Sequence, residues 1–335
     1  SEPIRLNSFL DSTTIPLVKR RLLYSVLPLV LGSLAACSKP MTVSGHHAVN
    51  WPDLPKERVA LEHEWRDARL LDAGRHLFEF VPPEGDSKLR ASLLVPSDAR
   101  APVVFQVGAD GRERINTLLL PTGTWQDFSL PLPRNSRSVQ VTLNTPVPMH
   151  IGRLEVTTSQ PTDQPNVLIV LIDALRQDHV TCFGHWRNTT PNIDVFAKDA
   201  IRFTQLTPQS SWTRPSVASL ITSLYPNQHG CHDRQDRLRN DVVPLERVFT
   251  ATDSYETHGI IANPNLLPYW GFGDGFNRYL DLCAGEQANV DDARVFDAAI
   301  DAVQHLAGHP WYIYVHAMGP HDPYIPPEPY NTMFP

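Results

Sequence analysis

Two oxygen-bearing side chains, Asp173 and Thr213, stand where they can share a cation. Asp173 closes the apolar run Asn166-Val-Leu-Ile-Val-Leu-Ile172. A run rich in Val and Ile without polar alternation reads as a strand covered on both faces of a parallel sheet, and such sheets bind ligands beyond the carboxyl ends of their strands. A carboxylate there is a hard-cation ligand, although an Asp at a strand end also serves as a cap for the following turn. In the later segment Ser211-Trp-Thr-Arg-Pro-Ser-Val217, Pro215 suits the first turn of a helix. The helical spacing then runs from Val217 to Leu224, where Tyr225-Pro226 stops it. Thr213 therefore falls at a helix N-terminus, where unpaired N–H groups and the helix dipole favour an alkoxide and the anion it attacks. A metal held by Asp173 lowers the hydroxyl pKa further. Taken alone, Thr213 reads as an ordinary N-cap.

Further segments follow in order: Pro165 to His179 around Asp173, Thr189-Thr-Pro-Asn-Ile-Asp194, Thr213-Arg-Pro-Ser-Val217 with Leu220-Ile-Thr-Ser-Leu-Tyr-Pro-Asn-Gln-His-Gly230, Gly271-Phe-Gly-Asp-Gly-Phe-Asn-Arg-Tyr279, and Pro310-Trp-Tyr-Ile-Tyr-Val-His316-Ala-Met-Gly-Pro-His321-Asp-Pro-Tyr324. Together they resemble the sulfatase family of the alkaline phosphatase superfamily. The third falls on that family's C-x-P-S-R signature. The resemblance implies an alkaline-phosphatase-like α/β sheet with flanking helices, a divalent metal (Ca, Mg, Mn or Zn), Asp173 and Thr213 as metal ligands, and Thr213 as nucleophile. It also implies His321 as a hydrogen-bond donor to the ester oxyanion or leaving group, and His316, His321 and Asn263 as substrate contacts. By itself, His316 at the end of an aromatic strand reads as a satisfied core residue. Asp178, His179, Asp194 and His229 read as caps or turn residues.

Departures from the family pattern carry equal weight. The family nucleophile is a formylglycine made from Cys or Ser, and Thr213 should not yield that aldehyde. The signature Arg is Val217, and the second Asp expected after the first metal ligand is Ala174. The family's G-K-W-H-L-G stretch has no evident match around Gly259-Ile-Ile-Ala-Asn263, and no S-D-H-G-like motif follows Tyr324. A Thr alkoxide resembles instead the phosphodiesterases and the phosphoglycerol or phosphoethanolamine transferases of the same superfamily, which work by ordinary covalent catalysis. The resemblance thus implies an N-terminal, incomplete part of a catalytic domain, expected to be inactive as it stands. It implies an ester hydrolase acting on sulfate or phosphate esters. Phosphoryl transfer, or a non-catalytic glycan-binding envelope lipoprotein, are the alternatives.

At the start, Lys19-Arg-Arg21 precedes the apolar stretch Leu22 to Ala36 and then Cys37. A charged n-region, a short apolar h-region and a small-residue end are the grammar of an export signal, and the stretch is too short for a comfortable membrane span. Leu34-Ala-Ala-Cys37 resembles the bacterial lipobox, which implies lipidation at Cys37 and a cell-envelope location on the periplasmic face or outer membrane. With 41% hydrophobic and 19% charged residues the chain as a whole is globular in composition. A net charge of −7 without a basic run speaks against nucleic-acid binding. Cys182, Cys231 and Cys283 lack C-x-x-C spacing, which argues against a zinc ribbon.

Short apolar runs separated by turn signals fill the region from Val59 to Thr157: Leu77 to Val81, Leu93 to Val95, Val103 to Val107, Thr117 to Leu120 and Val139 to Leu143. This is all-β punctuation, and it predicts a small jelly-roll-like sandwich in which Trp125 and Phe128 are either core or a sugar platform. The expected order is a signal and lipobox over 1–37, a linker over 38–55, the β-sandwich over 56–158, and the catalytic part over 164–335. The expected partners are a sulfated or phosphorylated glycan or envelope ester and, through the anchor, the membrane.

Overall fold

The computed structural model describes residues 41–42, 56–61, 64–158, 164–252, 255–283, 291–306 and 308–333; the signal, the lipobox and Cys37 lie outside them. Fourteen strands and five α-helices are assigned among these residues: β1 Met41–Thr42, β2 Lys56–Leu61, β3 Glu64–Leu71, β4 Gly74–Phe80, β5 Ser87–Leu94, β6 Val103–Ala109, β7 Arg112–Leu119, β8 Trp125–Pro131, β9 Val139–Thr145, β10 Met149–Thr158, β11 Val167–Ile172, α1 Pro191–Phe196, α2 Thr213–Thr222, α3 Pro226–His229, α4 Leu245–Thr250, β12 Glu256–Ile261, β13 Arg278–Asp281, α5 Asp292–His305 and β14 Trp311–Ala317. Residues 176–206 cluster as a compact unit of their own. Within it, Asp194 accepts from the Cys182 amide (2.8 Å) and Thr190 Oγ1 (3.2 Å), which makes it a turn-forming residue.

The N-terminal region is a two-sheet sandwich. One sheet has the order β1-β4-β9-β6-β7, and the facing strands β3-β10-β5-β8 belong to a sheet of nine strands. Alternation explains the core: along β6 and β9 every second residue is buried, and Phe105, Val107, Val141 and Leu143 meet Leu89, Ala91 and Leu93 of β5. Phe128 joins that core against Phe105, ring centres 5.3 Å apart, so it is a packing residue.

The same nine-stranded sheet carries the catalytic-type strands in the order β11-β14-β12-β13, all parallel, and β13 then pairs antiparallel with β3 of the sandwich. Helices cover both faces. On one side Val217, Ala218 and Ile221 of α2 pack on Tyr312, Tyr314 and Tyr279; on the other Val295, Ala299 and Ala302 of α5 pack on Ile260, Ile313 and Val315. Each buried Val or Ile among them contributes roughly 1.5–3 kcal/mol. Gly259 in β12 permits the close approach of Tyr279, since a Cβ there would stand 2.3 Å from the Tyr279 ring.

One expectation needs correction. The run ending in Asp173 is not covered on both faces: β11 is the edge strand among the described residues, with Leu168 47% and Val170 44% exposed. The fully buried strands are β12 and β14. Composition marks a buried strand, but an edge strand with the same composition looks identical in one dimension.

Candidate functional site

β11, α2, β12 and β14 converge at the carboxyl ends of the parallel strands. Asp173 follows β11, and its backbone N–H is held by the Ala317 carbonyl (2.9 Å) at the end of β14. Its Oδ2 accepts three hydrogen bonds: from Thr213 Oγ1 (2.9 Å), Asn263 Nδ2 (2.7 Å) and His316 Nε2 (3.1 Å). Among the described residues Oδ1 accepts none. One carboxylate oxygen is therefore anchored by protein donors while the other is left for an exogenous partner.

Thr213 is the first residue of α2 and not its N-cap; Trp212 holds that place and makes no side-chain capping bond. The threonine hydroxyl is thus spent on Asp173 rather than on its own helix. The start of α2 is fixed by Arg214, which is 2% exposed and stacks 3.5 Å from the centre of the Trp270 ring. Its guanidinium donates to the carbonyls of Arg234 (2.8 Å), Asp236 (3.0 Å) and Asn265 (3.3 Å), and to Asn265 Oδ1 (3.2 Å). Val217, where the family signature has Arg, is 3% exposed and packs in the core beneath α2.

Asn263 follows β12 and is 1% exposed. Its Oδ1 accepts from the Asn265 amide (2.9 Å), which turns its NH2 toward Asp173, with Thr213 Oγ1 at 3.4 Å and Met318 Sδ at 3.3 Å. His316 is fully buried, and Tyr314, two residues back on the same strand face, meets its Nδ1 at 2.9 Å. A carboxylate only accepts, so His316 Nε2 carries the proton and Nδ1 accepts from the Tyr314 hydroxyl. Burial pushes Tyr314 well above its usual pKa, which keeps that donor protonated. For Asp173, burial favours the neutral acid, but the bonds from His316 and Thr213 outweigh it and hold the pKa below the ordinary value, so the group is an anion at neutral pH.

His321, on the loop after β14, is not within hydrogen-bond distance of this cluster. Its Nδ1 bonds the Asp322 carbonyl at 2.7 Å, and it acts on Asp173 only through charge. His229 is buried and ties α3 to α2, with Nε2 3.0 Å from Ser219 Oγ and Nδ1 accepting from the Cys231 amide (3.1 Å). Asp178 pairs at the surface with Arg176 (2.6 Å). Cys182, Cys231 and Cys283 are free thiols. Tyr314, Met318 and Arg214 were missed as site neighbours; Tyr314 could have been found from its two-residue offset to His316.

Among the described residues no three His, Cys, Asp or Glu side chains gather as a metal cluster. The residues present fit a divalent cation only in part: Asp173 Oδ1 and Thr213 Oγ1 are oxygen donors of the right hardness, while the oxygen of Asn263 is committed to Asn265.

Residues 165–335 match the sequence profile of the Sulfatase family. The chain belongs to the sulfatase family. It is a member of the alkaline phosphatase superfamily with the α/β fold expected of it. Similar curated proteins include an N-acetylglucosamine-6-O-sulfatase of Bacteroides thetaiotaomicron, 23% identical over 196 residues, 52% of this chain and 35% of that protein. Human arylsulfatase A is 35% identical over 68 residues, 20% of this chain and 13% of that protein. The ulvan-active sulfatase of Formosa agariphila is 31% identical over 85 residues, 25% and 17% of the two chains. The matches therefore span about a third or less of these relatives' lengths. Among solved structures, the phosphonate monoester hydrolase of Agrobacterium radiobacter superposes with a TM-score of 0.42 at 24% identity, over 51% of this chain and 44% of that one.

Proposed function

We propose that the protein is a metal-dependent hydrolase of sulfate or phosphate esters, with Thr213 as nucleophile in place of formylglycine. The observation that carries this reading is the 2.9 Å bond from Thr213 Oγ1 to Asp173 Oδ2 at the first turn of α2. Asp173 Oδ1 and Thr213 Oγ1 are the ligands this part of the chain offers to the cation, which when bound would lower the hydroxyl pKa and offset the charge of the ester. In the first step the Thr213 hydroxyl proton passes to solvent water, Thr213 Oγ forms a bond to the sulfur or phosphorus, and the ester bond to the leaving oxygen breaks. The helix N-terminus and the Asn263 NH2 group stabilise negative charge at Oγ. With Nδ1 committed to the Asp322 carbonyl, His321 uses Nε2 to reach the leaving oxygen. His316 acts from behind, fixing the carboxylate with the proton that Tyr314 assigns to it. Water, or an acceptor alcohol in a transferase, then releases Thr213.

Phosphoryl transfer is the second reading, favoured by the Thr nucleophile together with the apolar Val217. Export and lipidation at Cys37 belong to the same proposal, placing the enzyme beside sulfated or phosphorylated envelope glycans. In the natural full-length protein, Thr213→Ala should lower turnover at least about a thousandfold while the fold survives; retained turnover removes Thr213 from the mechanism. Mass spectrometry of the products formed in water with an added acceptor alcohol separates the two readings, free sulfate or phosphate for the hydrolase against the phosphorylated alcohol for the transferase, and unchanged metal content in Asp173→Asn by elemental analysis would count against the ligand role.

A further inference from the structure

A cavity of about 400 Å³, away from the Asp173 centre, lies on the outer face of β3, β10, β5 and β8, where the sandwich meets β12, β13 and α5. A sheet face packed inside a protein is ordinarily apolar; this one carries Arg66, Arg90 and Arg153, opposed by Glu256, His258 and Arg278. Burying charges costs several kcal/mol per ion unless each is closely paired. Most are. Arg66 makes a two-pronged pair with Asp127 (2.6 and 2.8 Å), Arg278 meets Glu64 at 2.9 Å, and Arg153 pairs with Glu256.

Arg90 and His258 stand out. Arg90 is 7% exposed, yet its contacts are long: 3.5 Å to Glu155 and 3.9 Å to Glu256, both from the same nitrogen. His258 is 7% exposed, gives its Nε2 proton to Glu256 at 3.2 Å, and has a buried Nδ1 with no partner among the described residues. Burial first, then the surrounding arginines, holds His258 far below its usual pKa, so the ring is neutral and Nδ1 is an acceptor. Burial first, and then the charge of Arg90, push Arg153 down to about 9, so these two guanidiniums stand close enough to repel each other at this wall. The cavity thus offers an under-used planar guanidinium beside an unfilled acceptor. The complement is a small molecule bearing an oxyanion and a hydroxyl donor.

We propose that this cavity is a binding site, separate from the Asp173 centre, for an anionic monosaccharide unit whose sulfate or carboxylate lies on Arg90 and whose hydroxyl donates to His258. The site stands on its own residues and does not depend on the reading of Thr213. Isothermal titration of the chain at fixed ionic strength, with D-glucuronate and with D-glucose 6-sulfate, tests it. At least one of the two should bind saturably with one site, and binding of one alone assigns the anion. D-Glucose, which lacks the anion, and inorganic sulfate, which lacks the hydroxyl, should each bind about tenfold or more weakly. Arg90→Lys keeps the charge but not the fork, and should raise Kd about tenfold. His258→Phe, which leaves the arginines in place, should weaken binding without abolishing it, and Thr213→Ala should leave Kd unchanged. No saturable binding of either sugar overturns the proposal, as does the same Kd in Arg90→Lys and His258→Phe, or loss of binding in Thr213→Ala.

Discussion

Glu246 lies in the first turn of α4, where a carboxylate ordinarily gains from the helix dipole. Burial reverses that. The residue is 1% exposed, its Oε2 has no partner among the described residues, and its pKa is pushed up to about 8, chiefly by loss of solvent. In the unfolded chain it ionises near the ordinary glutamate value of 4.5. Between those two values the folded state holds a proton that the unfolded state releases, so stability is fully present below about pH 4.5 and is lost as pH rises toward about 8. At about 1.4 kcal/mol per unit, the interval separating pH 7 from the unfolded value amounts to about 3 kcal/mol. Glu246→Gln removes the titration while keeping shape and a donor. Urea unfolding of both proteins from pH 4 to pH 8 reads the difference, in which every other titrating group cancels. The variant should match wild type near pH 4 and exceed it by about 3 kcal/mol at pH 7. A difference that does not change across this range would refute the reasoning.

Other outcomes follow from the site. Arg214→Met leaves the carbonyls of Arg234 and Asp236 without their donor and should cost about 3 kcal/mol in denaturant unfolding; a loss below about 0.5 kcal/mol would show that the lock on α2 is dispensable. Ala174, directly after Asp173, holds a left-handed φ of 56°. Ala174→Gly relieves that conformation and should stabilise by about 0.5–1 kcal/mol despite the freer unfolded chain, and a lower urea midpoint for the variant would contradict the assigned backbone.

The placement of two candidate residues was legible before the fold. Asp173 at a strand end and Thr213 at a helix start were read from an apolar run and a proline, because strand ends and helix starts have local signatures. Asn263 was far weaker in sequence, since a single Asn after an apolar run has many uses; the structure puts it 2.7 Å from Asp173. His321 is assigned to the site by its motif alone; the structure ties its Nδ1 to its own loop carbonyl and leaves Nε2 for the proposed role. Among the sandwich strands, those with clear alternation were evident, whereas β3, β8 and β10 were hidden by arginines and carboxylates on one face. Those same charges line the cavity that holds Arg90 and His258.

What the sequence by itself determined is the set of local states: which runs are strands, where α2 starts, which hydroxyl and carboxylate are poised at element ends. These depend on neighbours within a few residues. Only the tertiary structure decided that Asp173 Oδ2 gathers Thr213, Asn263 and His316, that β11 stands at an edge, and that the charged face of the sandwich closes against β12 and α5. Each of these sets partners distant in the chain side by side, and pairing of that kind is fixed by the packing of whole sheets and helices, which no short window of sequence contains.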